Sequence, residues 1–519
     1  MIYRSPRPSI EIPNVSLADF VLARACARGT RPALVDSVTG RCITYARLPE
    51  LVDRAAAGFA RLGLGKGDVC AIFSQNTPEY PIAMLALARL GAIATTASPL
   101  YTKHDLVKQL TDSRARILLT SAALAQTWRE AASEVRIEHV ITFEDAQAPV
   151  VGFNELLGRP GKPPEASIDP IDIAVLPYSS GTTGLPKGVM LTHRNLVANI
   201  MQTDAADHYE HDRDTTIAFL PFFHIYGMQV IAMVGLWSGA TLVVMPKFDL
   251  DTYLDLIERH RATVLHVVPP VVVALAKHPS VERRDFSSIR KLFSGAAPLS
   301  ASTIEQCTCR IDCVIQQGYG LTETSPVTHV TYGDPARNKH GSIGRLVSNT
   351  ECRIVDPATG DDVAAGHDGE VWLRGPQVMQ GYFNRQDATS ATIDDDGWLH
   401  TGDIGHADAD GDFFIVDRLK ELIKYKGCQV PPAELEAVLL THPAVGDAAV
   451  VPLQDEDCGE IPRAFVVLKA PATADELMTY VSERVAPYKK VRRVDFIDAI
   501  PKSPSGKILR RLLRDVAVP

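Results

Sequence analysis

Apolar residues recur along the first four hundred positions in two alternating rhythms. Leu48, Leu51, Val52, Ala55, Ala56, Phe59 and Leu62 fall at helical spacing. The run Val69-Cys70-Ala71-Ile72-Phe73 follows, continuous and of strand length. Residues 117–120, 140–143, 240–245 and 264–268 repeat the strand pattern. The longest apolar stretch, residues 82–99, is broken by Arg89, Gly91, Thr95 and Thr96. It predicts a buried helix followed by a strand rather than a membrane span. Helices and strands in alternation predict βαβ units and largely parallel sheets. Ligands in such folds sit beyond the carboxyl ends of the strands.

From about residue 340 the texture changes to short strands punctuated by Asp356-Pro357, Asp368-Gly369, Asp396-Gly397 and Asp410-Gly411. This predicts a small β-rich subdomain. After Asp417 the chain turns basic, and Pro431-Pro432-Ala433-Glu434 marks a helix start, with prolines first and a carboxylate in the opening turn. The expected fold class is α/β: a large N-terminal domain of βαβ-type sheets plus the β-rich part, then a small α+β domain. The expected division is 1–417 and 418–519.

Composition narrows the class. A chain of 519 residues is too long for one ordinary core. Apolar residues at 46% and charges at 22% suit a globular enzyme. The net charge of −9 argues against nucleic acid or an acidic membrane surface as partner. Nine cysteines without CxxC spacing read as reduced thiols. Cys307, Cys309 and Cys313 cluster, but no histidine or CxxC pair beside them supports zinc. No signal peptide or peroxisomal address is indicated, so the expected compartment is the cytoplasm. Oligomeric state stays open between monomer and homodimer.

The segment richest in chemistry follows the apolar run Ile173 to Leu176. It reads Tyr178-Ser179-Ser180-Gly181-Thr182-Thr183-Gly184-Leu185-Pro186-Lys187-Gly188. Glycines allow close backbone approach, and N–H groups, hydroxyls and a lysine can wrap an oligophosphate. It is not a P-loop, because Lys187 precedes a glycine rather than Ser or Thr. Taken alone, such a loop could also be a surface turn.

Five further segments stand in order behind it: Pro221-Phe222-Phe223-His224-Ile225-Tyr226-Gly227, Ser294-Gly295-Ala296-Ala297-Pro298, Gln317-Gly318-Tyr319-Gly320-Leu321-Thr322-Glu323-Thr324, Trp398-Leu399-His400-Thr401-Gly402-Asp403, and residues 501–511 ending Gly506-Lys507-Ile508-Leu509-Arg510-Arg511. With the first loop they resemble the adenylate-forming superfamily of acyl-CoA synthetases, luciferases and peptide-synthetase adenylation domains. Residues 189–193, His224-Ile225-Tyr226 and residues 420–427 look like the 4-coumarate–CoA ligase branch. Cys428 departs from it, since the plant enzymes usually carry phenylalanine there.

The resemblance implies ATP-dependent joining of an apolar or aromatic monocarboxylic acid, such as 4-coumarate, to coenzyme A through an acyl-adenylate. ATP, Mg²⁺ and CoA would be required. Ser179, Ser180, Gly181, Thr182, Thr183 and Lys187 would hold the β- and γ-phosphates. Thr322 would meet the α-phosphate, with Gln317 and Gly318 beside the nucleotide. Glu323 would help hold Mg²⁺, Asp403 would accept the ribose hydroxyls, and Arg418 would add positive charge. Lys507 would bridge the carboxylate and α-phosphate during adenylation. Lys424 and Gln429 would contact the adenylate, Lys420 would lie at the hinge of a mobile C-terminal domain, and Lys247, Lys426 and Gly427 would serve CoA.

His224 would gate or position the acid; on its own it reads as a core histidine. The acyl pocket carries over as Tyr226, Val230, Ala296, Gly320, Val327 and Val330. It holds no cation for a second carboxylate, and Ala296 and Gly320 leave room for a flat ring or a medium acyl chain. A medium- or long-chain fatty acid ligase, a luciferase-like enzyme and a carrier-loading enzyme use the same fold. A non-catalytic acyl-AMP sensor would be expected to lack Lys507.

Overall fold

Five sheets organise the chain. The computed structural model describes residues 1–516 apart from 159–160, 180–185, 207, 298, 340, 427, 456, 504–505, 507 and 515, and apart from the side chains of 428 and 429. The largest sheet has nine strands. Its parallel centre is Ile93–Ala97, Val69–Phe73, Ile117–Thr120 and His139–Thr142. Helices Glu79–Leu90 and Lys103–Ser113 supply βαβ crossovers of the kind the spacing predicts, and the first leads directly into the strand Ile93–Ala97. Every residue of Val69–Phe73 is buried, as a strand covered on both faces requires.

A second sheet sets Thr215–Ala218, Thr241–Val244 and Pro32–Asp36 in parallel, and Cys42–Thr44 closes it antiparallel. The third runs Val264–Val267, Lys291–Ser294 and Val314–Gly320 in parallel before turning antiparallel at Val327–Val330. A broad apolar core joins these three sheets to their helices. The β-rich part is a five-stranded sheet of Tyr3–Arg4, Glu351–Val355, Gly369–Arg374, Leu399–Ala407 and Phe413–Arg418.

Beyond Arg418 the packing changes partners. Ile423–Tyr425, Cys428–Val430, Val445–Asp455, Gly459–Leu468 and Arg493–Phe496 form the last sheet. Its core, built on Ile423, Leu435, Leu439, Val450 and Val466, draws on no residue before 423. The helix Pro432–Leu440 begins with its proline at the first position, as the sequence predicts. There the pyrrolidine ring costs no hydrogen bond, because that N–H has no intrahelical partner.

Candidate functional site

The predicted phosphate loop leaves the central sheet on an antiparallel hairpin. Tyr178–Ser179 pairs with Lys187–Thr192, Ser179 lying opposite Lys187. The turn between them, with Ser180, Gly181, Thr182 and Thr183, lies outside the described residues. At the hairpin base the Ser179 hydroxyl donates to Glu323 Oε1 at 2.8 Å. The Tyr382 hydroxyl donates to the same oxygen at 2.9 Å. Lys187 Nζ stands 4.8 Å from the centroid of the Tyr382 ring. Burial, then the Glu323 charge, holds the Tyr382 phenol far above its ordinary pKa, so it stays a donor.

Glu323 lies on a single helical turn, Thr322–Thr324, directly after the strand Val314–Gly320. Thr322 beside it is half-buried. One buried carboxylate whose Oε1 is held by two hydroxyl donors suits a hard cation that takes its remaining ligands from phosphate oxygens and water. Among the described residues no group of three or more His, Cys, Asp or Glu gathers to hold a metal. Mg²⁺ therefore fits this site as a companion of bound phosphate rather than in a protein cage.

A second charged centre lies on the β-rich sheet. Asp403 and Arg418 are direct partners on adjacent antiparallel strands, with Arg418 Nε 3.1 Å from Asp403 Oδ1. The Tyr319 hydroxyl donates to Asp403 Oδ2 at 2.6 Å. Burial opposes the Arg418 charge, but Asp403, Tyr319, Glu421 and Glu323 overcome it and raise its pKa. Since Tyr319, Thr322 and Glu323 belong to one continuous segment, the two charged centres share a wall. Gln317, three residues before the end of the strand Val314–Gly320, is fixed by Thr331 and Leu299: its N–H donates to Thr331 Oγ1 at 2.9 Å, and its Oε1 accepts from the Leu299 N–H at 3.2 Å.

Three of the predicted acyl residues, Gly320, Val327 and Val330, lie on this strand and its hairpin partner. Gly318 lies opposite Val330 and Gly320 opposite Val327. Tyr226, Val230, Val327 and Val330 are buried, whereas Ala296 and Gly320 are exposed. Tyr226 and Val230 sit on a π-helix, Tyr226–Met233, a rare form that recurs at functional sites. The Tyr226 hydroxyl donates to the Phe293 carbonyl at 2.9 Å, and its N–H donates to His224 Nδ1 at 3.3 Å. Gly320 has a reason other than room for a ligand. A Cβ there would stand 1.8 Å from the Pro326 carbonyl oxygen, so the hairpin itself forbids a side chain.

Behind Tyr226 the wall is more polar than the apolar residue set predicts. His208 Nε2 and His266 Nε2 are 2.8 Å apart, and Thr216 Oγ1 lies 3.1 Å from His266 Nδ1. The His266 ring is 6.2 Å from that of Tyr226, and the His208 ring 4.3 Å from that of Phe293. Burial, reinforced by Lys291, lowers the His266 pKa to about 3. Both imidazoles are therefore neutral at physiological pH, sharing one proton between their facing nitrogens.

Comparison with known proteins fixes the family. The model for AMP-binding enzymes matches residues 22–383, and the model for their C-terminal domain matches residues 434–507. The chain belongs to the AMP-binding enzyme family. It is 45% identical to 4-coumarate–CoA ligase 3 of Oryza sativa subsp. japonica over 524 residues, 99% of this chain and 94% of that one. It is 43% identical to 4-coumarate–CoA ligase 2 of Petroselinum crispum, covering 99% and 96%. Among solved structures, the o-succinylbenzoate–CoA synthetase of Bacillus subtilis with its acyl-adenylate intermediate superposes with a TM-score of 0.85 at 30% identity, covering 98% and 99%.

In this AMP-binding enzyme the C-terminal candidates are gathered separately. Lys424 and Gln429 are cross-strand partners in the hairpin that opens the last sheet. Lys424 is exposed, as are Lys420 and Lys426, and Lys426 adopts φ 46°. Lys247 is exposed beyond the strand Thr241–Val244. Gly427 and Lys507 lie outside the described residues. The neighbour of Lys507 is informative: a Cβ on Gly506 would stand 3.5 Å from Pro270 Cδ and 3.6 Å from Val268 Cγ2. The C-terminal tip thus rests where the strand Val264–Val267 ends.

Four residues of this neighbourhood escape sequence reasoning. Tyr382 sits in a two-residue strand with no motif around it. Tyr319 lies inside a quoted motif, but only the fold brings it to Asp403. His208 and His266 lie 58 residues apart and meet across the sheet. In the cysteine cluster, burial pushes the Cys307 thiol up to about 11 and the Cys313 thiol to about 12.

Proposed function

We propose that this protein ligates a hydroxycinnamate such as 4-coumarate to coenzyme A, using ATP and releasing AMP and pyrophosphate. The observation that carries the reading is likeness along 99% of the chain to enzymes named 4-coumarate–CoA ligases. In the first step a carboxylate oxygen bonds to the α-phosphorus, and the bond from that phosphorus to the bridging oxygen breaks. In the second the CoA sulfur bonds to the acyl carbon, its proton departs, and AMP leaves. Neither step needs a protein nucleophile, so the site must supply position and charge.

In this reading Ser179 to Thr183 and Lys187 take the phosphates, and Thr322 the α-phosphate. Gln317 and Gly318 flank the nucleotide. Asp403, oriented by Tyr319 and Arg418, takes the ribose. Glu323 would hold Mg²⁺, which when bound neutralises phosphate charge. Tyr226, Val230, Ala296, Gly320, Val327 and Val330 enclose the acid, with His224 at its mouth. Lys507 stabilises the charge that develops in adenylation. Residues 1–417 and 418–519 are the two moving bodies, with Lys420 at the hinge. Rotation of the second body exchanges Lys507 for the face of Lys424, Lys426, Gly427 and Gln429, with Lys247 receiving CoA phosphate.

A cytoplasmic location is part of the proposal. In support, among the described residues no helix is long and apolar enough to cross a membrane.

The test is incubation with ATP, Mg²⁺, CoA and a panel of cinnamate, 4-coumarate, ferulate, benzoate, hexanoate and dodecanoate, with products read by mass spectrometry. AMP with a hydroxycinnamoyl thioester as the preferred product is expected. Preference for hexanoate or dodecanoate would overturn the substrate, and adenylate without thioester would overturn CoA as acceptor. Lys507→Ala should slow adenylation by about 10²–10³-fold, as loss of an oxyanion donor does.

A further inference from the structure

We infer that Asp417 is a positioning residue that latches the small C-terminal body in the orientation that serves adenylation. The inference rests on the two-step reading above. Asp417 is the penultimate residue of the strand Phe413–Arg418 and pairs with Ile404, so its backbone belongs to the β-rich sheet. Its side chain belongs elsewhere. Asp417 Oδ2 accepts from the Ala433 N–H at 2.8 Å, on the helix Pro432–Leu440 of the second body.

That helix cannot cap itself. Its N-cap is Pro431, which makes no side-chain cap hydrogen bond, and its first residue, Pro432, has no N–H. Ala433 carries the first N–H of the helix, and a side chain sixteen positions away satisfies it. The carboxylate also faces the positive end of the helix dipole. Asp417 is 6% exposed, so its bond is shielded from water. Only the turn containing exposed Lys420 lies between the strand and the second body.

The same helix holds the tail that carries Lys507. Glu436 accepts two hydrogen bonds from Arg510 Nη2, each at 2.8 Å, and Arg510 Nη1 donates to Glu421 at 2.5 Å. Leu509 N donates to the Pro501 carbonyl at 2.8 Å, and Lys502 bridges to Ile508. A series of contacts thus runs from Asp417 through the helix, Glu436 and Arg510 to Leu509 and Ile508, next in sequence to Lys507. On the other side of Lys507, Gly506 rests against Pro270 and Val268. Rotation about the hinge must break the Asp417–Ala433 bond, since its two ends lie on different bodies. Asp417 therefore favours the adenylation orientation over the thioester-forming one.

The half-reactions separate this role from a general structural one. Adenylation is read as pyrophosphate released from ATP and 4-coumarate, and thioester formation from synthetic coumaroyl-AMP with CoA. Asp417→Ala should slow the first about five- to tenfold, the scale of a lost helix cap, and change the second less than about twofold. Asp417→Asn keeps an acceptor oxygen and should recover most of the loss; it also serves if the alanine variant does not fold. Trypsin cleavage after Lys420 gives a readout independent of activity and should be faster in Asp417→Ala. Equal loss in both half-reactions, or no change in adenylation or cleavage, overturns the latch. If the wild type forms no adenylate, the proposed function fails, and the trypsin rates alone decide about Asp417.

Discussion

Asp403 and Arg418 face one another across adjacent antiparallel strands, the guanidinium Nε 3.1 Å from the carboxylate. Tyr319, from a different sheet, donates to the other carboxylate oxygen at 2.6 Å. For the ribose-binding role proposed for Asp403 its oxygens must keep a fixed direction, and these two partners fix both of them. Hydrogen bonds to a charged group are worth about 1.5–3 kcal/mol. Tyr319→Phe should therefore raise the KM for ATP about tenfold or more, while the KM for the acid changes little. Initial-rate kinetics with each substrate varied in turn would check this. An equal rise in both constants would mean that Tyr319 supports the whole wall rather than Asp403.

Glu323 depends on two hydroxyls in the same way. Tyr382→Phe removes one donor and keeps the ring against which Lys187 Nζ stands at 4.8 Å. Loss of an orienting partner outside the metal's own ligands typically costs about 10–100-fold in metal affinity. The Mg²⁺ concentration for half-maximal adenylation should rise by about that factor and saturation restore the rate. Titration of activity against free Mg²⁺ is the measurement. An unchanged midpoint would remove the metal role from Glu323.

These two centres show where the sequence is legible. Helical and strand periods expose the core of each element, because burial acts on every residue of a buried run such as Val69–Phe73. The motifs single out Ser179, Glu323 and Asp403 because the phosphate and ribose chemistry proposed for them would restrict residue type locally. The partners that aim those groups are not legible. Tyr319 and Asp403 are 84 positions apart, and Ser179 and Glu323 are 144 apart. Each meets its partner only because two sheets pack side by side, and no local spacing encodes that. Gly320 illustrates a different gap. Its missing side chain reads as room for a substrate, whereas the close Pro326 carbonyl explains it without one.

Acid should destabilise the fold through its buried histidines. Burial lowers the pKa of His193 to about 4 and of His266 and His329 to about 3. The unfolded chain titrates near 6.5 and so binds protons first as pH falls. Stability is complete above pH 6.5 and is lost as pH falls from there toward the folded values. By pH 5 each such histidine should cost about 2 kcal/mol, from 1.36 kcal/mol per pH unit. His329→Leu removes one contribution, leaving Thr328 its bond to the Tyr319 carbonyl. Urea unfolding at pH 7 and pH 5 should show a smaller drop in the variant, and an equal drop would exclude His329 as a source.

Ala296 and Gly320 should respond to exchange of their side chains with opposite signs. Ala296 adopts φ 72°, a left-handed conformation that costs an L-residue about 1–2 kcal/mol. Glycine would relieve this and lose about 0.5–1 kcal/mol through its freer unfolded chain. Ala296→Gly should therefore stabilise the protein by up to about 1.5 kcal/mol. Gly320→Ala forces a methyl to within 1.8 Å of a backbone oxygen and should destabilise by about 1–3 kcal/mol. A chain that keeps the strained alanine gains something other than stability from it. Ala296 is exposed where the predicted acid would lie, so its methyl is placed to contact the ring. Ala296→Gly should then raise the KM for 4-coumarate more than that for bulkier ferulate, even as its unfolding midpoint rises. If both acids are affected equally while stability increases, the strain serves the loop and not the choice of acid.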